Sequence, residues 1–228
     1  MGEMIHIFQN YYEYFLVGTR TTILISLITV FFGFVLGCVI ALMRLSNNLI
    51  LNKFAGAYIK ILRGTPMLVQ LWIVYYQLDF IPFPDMTVWG VDLERALPCA
   101  IALSLNSSAY VAEIIRGGLM AVDGGQMEAG RSLGLGYLDT MRFIVIPQAF
   151  KAILPSLGNE FIILLKDTSL LTVIGGQELL YAAQAIATRN YEQMFPLVGA
   201  ACVYLVLVLV FTWLLGKLER RLRQSDRR

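Results

Sequence analysis

Long uncharged runs separated by short polar stretches dominate this chain. Between Arg20 and Arg44 lie 23 uncharged residues, which as a helix reach about 35 Å and so cross the roughly 30 Å hydrocarbon layer of a bilayer. Residues 196–216 add 21 more without a charge. Between these two runs the pattern predicts three shorter or more polar spans. The expected fold class is all-α integral membrane, with five transmembrane helices at about 17–43, 58–79, 96–115, 152–174 and 196–216, and residues 1–228 forming a single domain.

Local punctuation refines these spans. From Gly64 to Leu78 only 15 uncharged residues are available, about 23 Å of helix. The second span must therefore recruit residues before Arg63 or be shielded by its neighbours. Thr65-Pro66 reads as a helix start, with Thr capping free amides and Pro at the first helical position. Asp79, Asp85, Asp92 and Glu94, with Pro82 and Pro84, make 79–95 a loop. Gly175-Gly176 ends the fourth span, and 177–195 reads as an amphipathic segment outside the membrane. Gly33 and Gly37 form a small-xxx-small pair that lets another helix backbone approach closely.

The first and fifth spans are clean enough to face lipid all round, whereas the middle three carry polar side chains that should face one another or water. Each of the three holds a polar pair seven residues apart: Gln70 and Gln77, Asn106 and Glu113, Glu160 and Asp167. Seven residues is close to two helical turns, so each pair shares a face. Together with Asn159 they can build a polar cavity, with ordinary interhelical hydrogen bonding as the competing use. Glu160 is the sharpest candidate, because an unpaired carboxylate deep in a span needs a cation, water or a proton. Contact with a substrate ammonium and a salt bridge to another helix both satisfy that need. Glu113 and Arg116, three residues apart, read as a local ion pair. Lys166 and Asp167 can pair with other spans or with a docking partner. Tyr75, Tyr76, Phe80 and Trp89 fall where an interfacial aromatic belt is expected.

Composition agrees with the pattern: 57% hydrophobic, 15% charged and a mean hydropathy of +0.67 exclude an ordinary soluble domain. Cys38, Cys99 and Cys202 sit singly in apolar runs, with no spacing for a disulfide framework or zinc site. His6 lies in the amino-terminal segment as a solvated bystander. That segment has no basic residue before Arg20, so no signal peptide is expected. No phosphate-binding loop, metal-ligand cluster or nucleophile with a positioned base is present in the sequence. The expectation is a chain that is not itself an enzyme and holds no catalytic residue, cofactor or metal.

Charge then orients the spans. The segments 44–63, 116–151 and 217–228 hold fourteen Lys and Arg, against two in 1–16, 79–95 and 175–195. By the positive-inside rule the basic set faces the cytoplasm, leaving the amino terminus outside and the carboxyl terminus inside.

The cytoplasmic segment 126–155 is the longest stretch that cannot be membrane core. Gly134 and Gly136 divide it into two short helices, the second with Tyr137, Leu138, Met141 and Ile144 at helical spacing until Pro147. Each piece is too short to stand alone, so its apolar stripe should be buried against something else. Glu128-Ala129-Gly130, Gly134 four residues later, then Ile144, Ile146 and Pro147 resemble the EAA loop of bacterial ABC importer permeases. The departures are Gly130 for Ala and Ile146 for Leu. Further stretches resemble the polar amino acid subfamily: Arg63-Gly64-Thr65-Pro66, 109–118, 125–129, Pro147-Gln148-Ala149 and 166–170.

The resemblance implies a type I importer permease in the bacterial cytoplasmic (inner) membrane, with five spans per subunit. A second copy or a homologous permease would complete the pathway. Two ATP-binding subunits would carry ATP and Mg, and an extracytoplasmic solute-binding protein would deliver an amino-acid substrate, basic cargo being somewhat favoured. The loop at about 123–150 would be the coupling element, with Glu128 anchoring its turn and Ala129, Gly130, Leu133 and Gly134 shaping the docking face. Alternatives are a permease for another small solute, such as a peptide, or an ATP-independent secondary transporter or channel.

Overall fold

A computed structural model describes residues 2–78, 81, 83, 85–88 and 91–225, with side chains described within 9–222. Asp79, Phe80, Pro82, Pro84 and Trp89 of the expected loop and aromatic belt lie outside the described residues, as does the His6 side chain. The described chain is helical apart from one two-stranded hairpin, in the order α1 (Gly2–Leu45), α2 (Leu49–Gly64), α3 (Met67–Gln77), β1 (Thr87–Val88), β2 (Val91–Asp92), α4 (Leu93–Met120), α5 (Gly124–Ser132), α6 (Tyr137–Thr140), α7 (Ile146–Asp167), α8 (Leu179–Asn190) and α9 (Met194–Ser225). Thr87 faces Asp92 and Val88 faces Val91 in the antiparallel hairpin.

Helices α1 and α4 form the spine. Their close approach depends on the expected glycine pair: a Cβ built on Gly33 would meet the Ser107 Cβ at 3.0 Å, and one on Gly37 would meet the Val111 Cγ1 at 2.6 Å. Consequently α1 does not face lipid all round. Thr21, Thr22, Ser26 and Thr29 are buried with Ile25, and the Ser26 hydroxyl donates to the Thr22 carbonyl at 2.7 Å. Thr21 and Ser26 turn their hydroxyls onto the preceding turn and Thr22 accepts from the Leu179 amide, so a polar stripe lies in an apolar interface that hydropathy alone reads as featureless. Helix α9 comes nearer the expectation, with Leu205, Val206, Leu209, Val210 and Trp213 exposed. By length and composition three helices can cross a membrane, over Gln9–Leu45, Leu93–Met120 and Met194–Leu222.

The span expected over 58–79 is built from two helices rather than one, α2 and α3. Thr65 and Pro66 are extended (ψ 147° and 135°), and α3 starts at Met67 as the Thr-Pro signal indicates. The capping differs from expectation: Thr65 donates its hydroxyl back to the Ile61 carbonyl at 2.9 Å, and no side chain caps α3.

Pro147 does not end the helix that begins at Tyr137. A π-helical stretch (Met141–Val145) leads into α7, which carries Pro147 in its first turn. There the missing N–H is tolerated, because the wider π turn has already changed the hydrogen-bond register. Helix α7 runs into a 3₁₀ segment (Thr168–Ile174) that stops at Gly175 in the left-handed conformation, φ 77°, as the Gly-Gly pair predicts. Arg95 at the start of α4 donates to the Gly175 carbonyl at 2.8 Å.

The segment 177–195 is amphipathic as expected. The apolar side of α8, formed by Leu179, Ala183 and Ile186, packs with Phe15 and Ala200 of α1 and α9.

Candidate functional site

The polar residues of α3, α4 and α7 fall into three groups along α4. In the first, Asn106 Nδ2 donates to Gln70 Oε1 at 2.9 Å and to the Leu62 carbonyl at 3.2 Å. Gln70 Nε2 in turn donates to the same Leu62 carbonyl at 2.7 Å and to Thr65 Oγ1 at 2.7 Å. The break between α2 and α3 frees carbonyls, and these two amides satisfy them. Gln70 and Asn106 therefore staple the broken second span to α4, a structural use that the expected shared cavity did not specify.

The second group centres on Glu160, only 6% exposed. Ser107 Oγ donates to Glu160 Oε1 at 2.8 Å across the α4–α7 interface. The carboxylate has Ser107 as a neutral donor and lies within electrostatic reach of Asp167 on its own helix and of Arg63. Asp167 is half-buried, whereas Gln77 and Asn159 are exposed.

Further along α4, Arg116 grips Glu113 through two donors, the closer at 2.8 Å. The expected local pair is present, and it is joined by Arg63, whose Nη1 lies 4.0 Å from Glu113 Oε2. The Arg63 guanidinium also sits over the Tyr110 ring, 5.0 Å from its centroid. At the other end of α3, Trp72 stacks on Tyr76 with centroids 5.2 Å apart, and Tyr75 packs edge-on against both.

The 123–150 loop is organised by backbone rather than by Glu128. Asp123 Oδ1 accepts from the Gly125 amide at 2.7 Å and starts α5. The turn out of α5 closes through Gly134 N to Arg131 O at 3.0 Å and Leu135 N to Gly130 O at 3.1 Å, with Gly134 at φ 86°. Only glycine takes that conformation without strain. Gly130 is buried against Thr140, whose Cγ2 lies 2.6 Å from where a Cβ would be. The Glu128 side chain is exposed, and it is its carbonyl that is engaged, accepting from Ser132 Oγ at 2.9 Å. Ala129 is exposed as well. Leu133 is 82% and Leu138 78% exposed, with Tyr137 and Phe143 also open. The apolar stripe of this loop is therefore only partly buried within the chain.

A family model described as a binding-protein-dependent transport system inner membrane component matches residues 33–224. The chain belongs to this family. Among relatives of this transport component, the arginine transport system permease protein ArtQ of Bacillus subtilis (strain 168) is 37% identical over 213 residues, covering 93% of this chain and 94% of that protein. The glutamine transport system permease protein GlnP of Escherichia coli (strain K12) is 35% identical over 206 residues, covering 90% and 91%. A crystal structure of an amino acid ABC transporter with histidines superposes with a TM-score of 0.85 at 41% identity, covering 93% of this chain and 95% of that one. The inward-facing MetNI methionine ABC transporter shares the fold at a TM-score of 0.73 and 16% identity, covering 92% and 97%. The transport component is accordingly a multi-pass protein of the inner membrane.

One buried acid in this transport component was missed by sequence reasoning. Glu178 is fully buried and caps α8 by accepting from the Tyr181 amide at 2.8 Å. It also accepts from the hydroxyls of Thr172 and Tyr204, the latter at 2.5 Å. An acid just before the apolar run Leu179-Leu180-Tyr181-Ala182-Ala183 was the available signal, since a carboxylate there caps the helix amides. Ser107 and Thr140 carry no comparable signal; only the packing of α4 on α7 and of α5 on α6 selects them.

Proposed function

We propose that the chain is the membrane-spanning subunit of an ATP-driven importer for polar amino acids, and that basic cargo is favoured. It crosses the membrane five times with the amino terminus outside, the broken α2–α3 unit and α7 making the second and fourth crossings. A second permease copy or a homologous permease, two ATP-binding subunits and an extracytoplasmic solute-binding protein complete the transporter. ATP and Mg belong to the ATP-binding subunits, and this chain performs no hydrolysis itself.

The reading rests on Glu160: a buried carboxylate with a neutral hydrogen-bond donor, between the two helices that carry most of the polar side chains. Every amino acid brings an ammonium group, and a cation is what a carboxylate in a low-dielectric site requires. Glu160 with Asp167 would contact that group, and Asn106, with Gln70 holding it, would line the approach. The loop supplies the other half of the reading. Exposed Leu133, beside Gly130 and Gly134, fits a groove on the ATP-binding subunit. Closure of the two ATP-binding subunits would push the loop and rock α4 and α7 between outward-open and inward-open states.

The test is uptake of labelled arginine and glutamine by vesicles containing this chain with its ATP-binding and solute-binding partners. ATP-dependent uptake that Glu160→Gln reduces at least tenfold is the expected result. Uptake that needs no ATP-binding subunit, or that is indifferent to Glu160→Gln, overturns the proposal.

A further inference from the structure

Arg63 lies beside Glu113 and on the ring of Tyr110, one turn of α4 from the serine that holds Glu160. Its backbone is fixed there: the neighbouring Leu62 carbonyl accepts from both Gln70 and Asn106, at 2.7 and 3.2 Å, which docks the end of α2 onto α4. Along α4, Ser107, Tyr110 and Glu113 follow at three-residue intervals, each about 4.5 Å further along the axis. Ser107 holds Glu160, Tyr110 carries the Arg63 guanidinium on its ring, and Glu113 receives Arg63 Nη1 at 4.0 Å. The guanidinium thus sits on the middle rung, beside Glu113 and one rung from the serine that bonds Glu160.

The two attachments of Glu113 are unequal. Arg116 holds the carboxylate at 2.8 Å through donors in hydrogen-bond geometry, whereas Arg63 meets the same oxygen only at 4.0 Å. A long, 43% exposed side chain held this loosely is free to choose between neighbours.

We propose that Arg63 is a resident cation that competes with cargo for Glu160. Without cargo its guanidinium leans toward Glu160 and neutralises it. When a substrate ammonium arrives, Arg63 withdraws along the Tyr110 ring onto Glu113. Glu113 is then the parking position that makes Glu160 available, and Arg63 is a positioning residue that sets the affinity for cationic cargo. This rests on the reading of Glu160 as the cargo carboxylate.

The logic predicts opposite signs for the two partners of one ion pair. A competitor that occupies Glu160 part of the time weakens apparent affinity by that fraction. Glu113→Gln removes the parking position, so Arg63 stays on Glu160 and the Kd for labelled arginine rises by about threefold to tenfold. Arg63→Gln removes the competitor and lowers the Kd by about threefold. The double variant follows Arg63→Gln, since an absent cation has no use for parking. Arg63→Lys keeps the charge but loses the planar group that rests on the Tyr110 ring, so its Kd falls between those of the parent and Arg63→Gln.

Equilibrium binding of labelled arginine to the detergent-solubilised permease–ATPase complex reads this directly, without the solute-binding protein. If Arg63→Gln and Glu113→Gln weaken binding alike, Arg63 is only a structural clasp and the proposal is overturned while the Glu160 reading stands. If Glu160→Gln leaves arginine binding unchanged, both fall together.

Discussion

Ser107 of α4 donates a 2.8 Å hydrogen bond to the buried carboxylate of Glu160 on α7. Ser107 is itself fully buried and lies against Gly33 of α1, 3.0 Å from a Cβ placed there. One hydroxyl therefore joins the close α1–α4 contact to the buried acid on the proposed pathway. Ser107→Ala leaves that acid without its neutral donor and is expected to cost about 1–3 kcal/mol, read as a lower unfolding midpoint of the detergent-solubilised protein. An unchanged midpoint with normal arginine binding would show that the contact is dispensable.

The α1–α4 contact makes a ranked prediction about glycine. A Cβ at Gly37 would sit 2.6 Å from Val111, one at Gly33 3.0 Å from Ser107, and one at Gly117 would meet nothing within 4 Å. Overpacking costs about 1–3 kcal/mol, while an open helical Gly→Ala gains up to about 1 kcal/mol. Thermal stability should fall in the order Gly117→Ala, Gly33→Ala, Gly37→Ala, and a reversed order would contradict the packing.

Gln70 and Asn106 share the Leu62 carbonyl and bond to each other, so their removal should not be additive. A double-mutant cycle of Gln70→Ala and Asn106→Ala is expected to give a coupling of about 0.6–1.7 kcal/mol. Zero coupling in chemical unfolding would mean that the two amides act separately.

Glu178 gathers three donors at the junction of the 3₁₀ segment, α8 and α9. Tyr204→Phe removes one and should cost about 1–2 kcal/mol. Glu178→Ala orphans all three and should cost more, by an order seen for broken buried networks, about 3–5 kcal/mol. Equal midpoints for the two variants would show that the carboxylate is not the hub.

Gly134 sits at φ 86° with open space beside it, so a larger residue strains the backbone without clashing. Gly134→Val should tilt the exposed Leu133 away from its docking position. The expected outcome is an intact membrane domain whose associated ATP hydrolysis no longer responds to cargo. Continued coupling, measured as the ratio of hydrolysis with and without loaded binding protein, would remove the loop from the transmission path.

Much of the architecture was legible because bilayer physics writes itself into composition. Uncharged runs announced α1 and α9, Gly33 and Gly37 announced a close helix contact, and Thr65-Pro66 and Gly175-Gly176 marked where helices start and stop. The Glu113–Arg116 pair followed from three-residue spacing alone. What failed did so for identifiable reasons. Thr and Ser in α1 look unremarkable in a hydropathy profile, since their hydroxyls can satisfy themselves on the preceding turn. Pro147 reads as a stop, yet it falls where a π turn has already changed the hydrogen-bond register. Asp123 and Thr140 were not singled out, because their roles, starting α5 and packing on Gly130, come from a local turn and a helix contact.

By itself the sequence determined which segments leave water and where each helix is punctuated, because those properties depend on local composition and backbone freedom. It also determined that polar side chains concentrate in α3, α4 and α7. Only the tertiary structure decided that Gln70 and Asn106 mend a broken helix, that Glu160 faces Ser107, and that Arg63 reaches Glu113 across the α2–α4 contact. Those relations join residues tens of positions apart, and they are fixed by which helix faces come together, a choice that no single stretch of chain contains.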